Sequence, residues 1–187
     1  MNELPVPMVG FCAWSGTGKT TLLTQLLPLM VARGLKVAVV KHAHHTFDID
    51  HPGKDSYELR EAGASQMLIA SRKRMALIAE FDEGRGEPSL ADALSGLNMQ
   101  DLDLILVEGF KHENYQKIEL HRPQLNKPLF FPDDGNIIAI ASDAPIPENK
   151  NLLPKLNLNN PQQIVQFILD KVVADTPATV VSGAAQP

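Results

Sequence analysis

The chain alternates short, unbroken apolar runs with amphipathic stretches. Met8 to Ala13 (MVGFCA), Lys36 to Lys41 (KVAVVK), Asp103 to Val107 and Ile137 to Ser142 (IIAIAS) lack the in-out alternation of a half-exposed strand. They predict strands buried on both faces. Thr20 to Arg33 carries Leu22, Leu23, Leu26 and Leu27 at helical spacing, and Gly34 supplies the stop. Pro28 predicts a kink there rather than an end, because the apolar period resumes at Leu29 and Met30. Asp55 with Glu58, and Ser89 with Asp92, have capping-box spacing. They open a helix closed by Gly63 and another reaching about Leu97. Gln66 to Ser71 and Met75 to Phe81 predict a hairpin turned at Arg72-Lys73-Arg74. Lys117 to Arg122 alternates as a strand, and Pro123 to Gly135 is irregular. Asn160 before Pro161 caps a last helix running to about Val173. The remainder has the composition of a disordered tail.

Apolar strands interleaved with helices predict an α/β class: three layers, with a mostly parallel sheet covered by helices on both faces and a β-hairpin at the edge. The expected organisation is one domain over residues 1–173 and a tail over 174–187. Ligands of such sheets bind at the carboxyl ends of the strands, so those ends are where chemistry is sought.

The first strand runs into Ala13-Trp14-Ser15-Gly16-Thr17-Gly18-Lys19-Thr20, which is the A-x-x-x-x-G-K-T form of a P-loop. Gly16 and Gly18 let the backbone curl so that its N–H groups, with those of Ser15 and Thr17, face phosphate oxygens. Lys19 adds a point charge for the β- and γ-phosphates, and Thr20 a hydroxyl for Mg²⁺. The helix that follows presents its positive end to the same anion. The usual pattern opens with Gly, and Ala13 is the one departure. A strand before, a helix after and an acidic strand end elsewhere separate this motif from a chance glycine turn.

That acidic end is Glu108, which closes Leu104-Ile105-Leu106-Val107 in Walker B manner with Glu in place of Asp. It is a candidate to hold Mg²⁺ or to orient a water. Asp48 and Asp50, in the loop after the second strand, compete for the metal. Lys41-His42-Ala43-His44-His45, followed by His51, leaves a strand expected beside the cradle. Lys41 and His42 are candidates for a phosphate or a second anion. His44, His45 and His51 offer imidazoles for zinc or nickel, the basis of an alternative reading as a metal-delivery GTPase. No N-K-x-D guanine motif occurs: Asn126-Lys127-Pro128-Leu129 lacks the acid. Asp143, at the end of IIAIAS, is either an acceptor for a purine's N1–H and N2–H₂, which guanine has and adenine lacks, or an ordinary turn residue.

Composition narrows the partners. A net charge of −5, a pI of about 5.6 and 5% aromatics give neither the basic footprint nor the stacking surface of a nucleic-acid binder. Arg72-Lys73-Arg74 reads as a solvated hairpin tip. The single cysteine, Cys12, forms no internal disulfide and falls in an apolar run. No stretch approaches bilayer-spanning length, and no signal-peptide pattern opens the sequence, so cytoplasm is the expected compartment.

With the cradle, KHAHHTFDIDHPGKDSYELREAGA and LDLILVEGFKHE in order, the chain resembles the molybdopterin-guanine dinucleotide biosynthesis adaptor (MobB) family over roughly residues 8–145. The resemblance implies binding and slow hydrolysis of GTP with Mg²⁺, and a homodimer. It also implies a guanylyltransferase partner that attaches GMP to molybdopterin; molybdopterin itself is a candidate further contact, which the sequence leaves open. It places Gly16 to Thr21 on the phosphates, Glu108 near the metal and Lys41 to His45 beside the nucleotide. The apolar hairpin, which would template pairing if left at an edge, is the expected dimer element.

Overall fold

The computed structural model describes residues 4–43, 47–82, 84–146 and 153–174. Two compact units emerge: residues 1–42 with 89–187, and residues 43–88. The tail beyond Ala174 lies outside the described residues.

The first unit is built on a six-stranded sheet. Its strands are β1 (Met8–Cys12), β2 (Val37–Lys41), β5 (Leu104–Glu108), β6 (Lys117–His121), β7 (Ile137–Ser142) and β8 (Lys155–Asn157). The order across the sheet is β2-β5-β1-β6-β7-β8, and every pair is parallel. The apolar runs read from the sequence fill its middle. Leu104 to Val107 of β5 are wholly buried, and alternate residues enter cores on the two faces. Leu104 and Leu106 pack with α1 (Lys19–Val31) and α4 (Pro161–Ile168), while Ile105 and Val107 pack with α3 (Leu90–Ser95). β2 departs from expectation. It is the edge strand, so only Val40 is fully buried and Val39 faces out.

Most helix signals take effect. Pro28 lies inside α1 and its carbonyl still accepts from Ala32 N–H at 2.9 Å. Ser89 and Asp92 form a full capping box on α3. Asn160 Oδ1 caps α4 through Gln163 N–H at 3.1 Å, and the helix ends in a π-turn over Leu169–Val173. The Asp55–Glu58 box does not form. The N-cap of α2 (Asp55–Glu61) is Lys54, with no side-chain cap bond. Asp55 therefore stands inside the first turn, where a negative charge still suits the helix end. β8 has no counterpart in the sequence reading, because three residues are too few to show a period.

β6 deviates most instructively. Its alternation suggests one wet face, yet Lys117 and Glu119 are 1% and 0% exposed. Ile118 and Leu120 fill the α1 side, and the irregular segment between β6 and β7 covers the other. Glu119 holds that segment by accepting from Phe130 N–H at 2.8 Å and Phe131 N–H at 3.0 Å. Burial pushes its carboxyl up, and these two backbone donors oppose the rise. Lys117 Nζ bonds Asp134 Oδ2 at 2.8 Å. Gly10 permits a second close approach: a Cβ there would fall 2.3 Å from the Tyr115 ring.

The second unit holds α2 and a hairpin of β3 (Gln66–Ala70) and β4 (Met75–Ala79), which form a two-stranded sheet of their own. The pairing Leu68↔Leu77 and Ala70↔Met75 puts Leu68, Leu77 and Met75 on one face, 57%, 53% and 70% exposed. Arg72, Lys73 and Arg74 are exposed at the turn, as expected. Inside this unit Arg60 bridges Asp50 and Glu80.

Asp134 carries a pH signature. Burial pushes its carboxyl up, but the hydrogen bonds from Lys117 and Asn136 outweigh that and hold it below the ordinary value. Its stabilisation is thus fully present above the unfolded carboxyl value near ~4 and is lost as pH falls through the lower folded value. Asp134→Asn strips Lys117 of its counter-charge and is expected to cost about 3 kcal/mol at neutral pH. Urea melts at pH 7 and pH 3 check this: the gap between variant and parent should shrink at the lower pH.

Candidate functional site

The site grows from the carboxyl ends of β1, β5 and β2. Register sets it: Glu108 lies opposite Phe11 on one side and Lys41 on the other. The chain leaves β1 at Cys12 and turns through Gly16 (φ 81°) and Gly18 (φ 96°) into α1. A Cβ on Gly16 would meet nothing, so that glycine serves backbone conformation rather than space. Gly18 is the N-cap of α1, no side chain caps it, and the first turn holds no acid. The leading N–H groups of α1 are thus offered to a ligand, and the helix end favours an anion.

Within the loop each side chain has a distinct place. Thr17 is buried, and its hydroxyl donates back to Trp14 O at 2.7 Å. Its side chain therefore shapes the loop. Ser15, Thr20 and Thr21 are exposed at the mouth. Lys19 Nζ arches over the loop to Ala13 O at 3.4 Å. Thr20 Oγ1 donates to Glu108 Oε1 at 3.4 Å, and Lys41 Nζ lies 3.8 Å from Glu108 Oε2. Lys19-Thr20, Lys41 and Glu108, from three separate segments, converge at the carboxyl ends of the strands.

His42 is seated next to them by backbone and ring. Its N–H donates to Glu108 O at 2.8 Å, and its imidazole stacks on Phe110 with centroids 4.6 Å apart. Gly109 makes this possible. It has φ 97°, and a Cβ would fall 2.5 Å from His42 Cβ.

Asp143 joins the site through a residue that the sequence reading missed. Arg122 Nε donates to Thr17 O at 2.8 Å, and its Nη1 donates to Asp143 Oδ2 at 2.5 Å. Arg122 thereby ties the phosphate loop to the end of β7. An arginine one residue past a strand was the available signal, but nothing in one dimension names its partners. A cavity of about 360 Å³ opens beside Asp143, lined by Ser142, Pro145, Asn157 and Gln163 among others.

The remaining candidates belong to the second unit or lie outside the described residues. Asp48 is an exposed residue of the second unit. Asp50 is buried there and paired with Arg60, so it is committed within that unit. His51 is exposed in the same unit, and His44 and His45 lie outside the described residues. Among the described residues no group of three or more His, Cys, Asp or Glu side chains is placed to hold a metal ion. Cys12 is buried and its thiol is pushed up to about 12 by that burial, so it is no thiolate ligand. No helix among the described residues is long and apolar enough to cross a membrane.

The donor set suits magnesium. Thr20 and Glu108 present hard oxygens next to a loop shaped for phosphates, and Mg²⁺ takes one or two protein oxygens plus phosphate and water. Thr20 and Glu108 would hold the ion, and the ion would supply positive charge against the β- and γ-oxygens of a bound triphosphate.

Comparison with known proteins places this geometry. The family model described as molybdopterin guanine dinucleotide synthesis protein B matches residues 8–143. The molybdopterin-guanine dinucleotide biosynthesis adapter protein of Escherichia coli is 45% identical over 88% of this chain and 93% of its own length. That of Haemophilus influenzae is 41% identical over 87% and 88%. The crystal structure of a molybdopterin-guanine biosynthesis protein B superposes with TM-score 0.65 at 26% identity, covering 87% of this chain and 98% of that one. By the family model over most of its length and by these identities, the chain belongs to the molybdopterin guanine dinucleotide synthesis protein B family.

Proposed function

We propose that this chain is an adapter of molybdopterin-guanine dinucleotide biosynthesis that binds GTP with Mg²⁺ and presents it to the guanylyltransferase. The observation that carries this is the convergence of the uncapped α1 N-terminus with the Thr20–Glu108 contact at 3.4 Å, in a chain of this family. Backbone N–H groups of Ser15 to Gly18 and the first residues of α1, through Thr21, take the phosphates. Lys19 leaves Ala13 O to reach the β- and γ-oxygens. Thr20 and Glu108 serve the metal. Asp50, already paired with Arg60, has a weaker claim, and Asp48 stays a candidate for the same ion. Lys41 and His42 line the γ-phosphate side, where Lys41 also tempers the charge of Glu108.

Asp143 is the guanine reader in this scheme. Arg122 fixes Oδ2 and leaves Oδ1 as the acceptor for guanine's N1–H and N2–H₂, with the base in the adjoining cavity. Hydrolysis is slow on the same account. Arg122 spends Nε and Nη1 on the protein, so it is not free to act as an arginine finger, whose contribution elsewhere is about 10³-fold or more. Glu108 and Lys19 support the residual turnover. The unpaired cysteine and the nucleotide requirement suit the cytoplasm.

The assembly proposed is a homodimer. Two strands alone are marginal in water, and the exposed face of Leu68, Leu77 and Met75 is the surface that a second copy covers.

Calorimetry with magnesium should show GTP binding at least tenfold tighter than ATP, and Asp143→Asn should erase that preference. Lys19→Ala should abolish nucleotide binding while thermal melting stays within a few degrees of the parent; undiminished binding would remove the cradle assignment. Adding the guanylyltransferase should raise product formation. Rapid GTP turnover by the isolated chain would count against an adapter. Replacing Leu68 and Leu77 together by Glu should convert a dimer into monomers in sedimentation velocity, whereas a parent that sediments as a monomer refutes the dimer.

A further inference from the structure

A cavity of about 540 Å³ lies against the cradle in the first unit, and the nucleotide scheme makes no use of it. This is ligand-sized space. Trp14, a residue of the phosphate loop, forms part of its wall. The indole stacks on Phe130 at 4.9 Å and donates to Pro128 O at 2.8 Å, so the aromatic wall is fixed in place. Lys111 and Asn114 line the cavity a few residues after Glu108. An occupant therefore sits between two segments that also flank the nucleotide's phosphates.

The polar lining divides into two sets. Glu113 is committed to capping α3, accepting from Leu90 N–H at 3.2 Å. Asp134 is committed to Lys117 and Asn136. The Cys12 thiol is held neutral by burial. Asp133, Lys111 and Asn114, by contrast, have no hydrogen-bond or ion-pair partner for their side chains among the described residues. What remains for a ligand is an aromatic wall, one carboxylate, one ammonium, one amide and the exposed imidazole of His112.

That set selects a ligand chemistry. A flat heterocycle packs on the wall. A carboxylate accepts two parallel N–H bonds from a 2-amino-4-oxopyrimidine edge. An ammonium takes an anionic substituent. Guanine and pterins share this edge, and a pterin with an acidic side chain meets all three demands without ribose. We propose that this cavity docks the pterin end of the dinucleotide's precursor, with its N–H edge on Asp133 and its anionic tail on Lys111, alongside the triphosphate. The assignment rests on the functional reading above and gives the second substrate of that reaction a place on this chain.

The probe is pterin-6-carboxylate, titrated calorimetrically into the full chain without nucleotide, with the emission of the single tryptophan followed in parallel. One pterin per chain should bind and quench Trp14. Asp133→Asn should weaken binding roughly tenfold, as expected for a charged hydrogen-bond acceptor. Lys111→Ala should weaken it a few-fold. Both residues are exposed, and both variants should leave the affinity for GTP unchanged. Guanosine should fail to displace the pterin. Absence of pterin binding, or insensitivity to both substitutions, overturns the proposal while leaving the cradle reading intact. Displacement by guanosine as readily as by pterin makes the cavity a guanine pocket and overturns it equally. Failure of GTP to bind would strike the nucleotide reading instead, and the nucleotide-free titration would still decide the cavity.

Discussion

The site depends on a helix that begins without a side-chain cap. Helices usually satisfy their first N–H groups with a Ser, Thr, Asp or Asn at the N-cap. Here the cap is Gly18 in the left-handed region, and any residue with a Cβ would strain that turn. The loop therefore gives up roughly a few tenths of a kcal/mol of ordinary capping and leaves the leading amides for an anion. Every other feature of the site is arranged around that choice. Thr17 turns its hydroxyl inward to brace the loop, and Arg122 braces the same residue from the β6 side.

Strand register brings in the remaining chemistry. β5 is buried on both faces because helices cover both, which fixes its position between β1 and β2 without any polar contact along its length. One residue past its last apolar position, Glu108 emerges beside Thr20 and Lys41. A one-residue slip would turn each side chain to the other face and remove the carboxylate from the threonine. The uniform burial of Leu104 to Val107 is thus what aims an acid at Thr20. Gly109 extends the same logic, because its missing side chain lets His42 settle on Phe110.

The sequence exposes these parts unevenly. The cradle, the β5 acid and the central strands are contiguous motifs or runs, so they are legible in one dimension. Capping signals are half legible: Ser89–Asp92 forms its box, and Asp55–Glu58 does not, because the helix starts one residue earlier, with Lys54 as cap. Arg122 is illegible, since its role comes from partners 105 and 21 residues away. The burial of Lys117 and Glu119 is illegible for a related reason. A charged-apolar alternation normally marks a wet face, and only the covering segment between β6 and β7 reverses that. β2 errs the other way, apolar throughout but placed at an edge where half its surface is exposed.

Those buried charges explain how an irregular segment becomes a stable wall. A loop has no ladder to hold it, so its backbone N–H groups need acceptors elsewhere. Glu119 supplies both carboxylate oxygens to consecutive amides at Phe130 and Phe131, and Lys117 anchors the far end at Asp134. Burying these ions is unfavourable in isolation. Here it is offset because each has a hydrogen-bonded partner and because the segment they clasp covers apolar Ile137 and Ile140. Phe130, held by its own amide, is then in position to stack on Trp14. The charged face of β6 thus shapes the space next to the phosphate loop, and a change at Glu119 should alter that cavity before it alters the cradle.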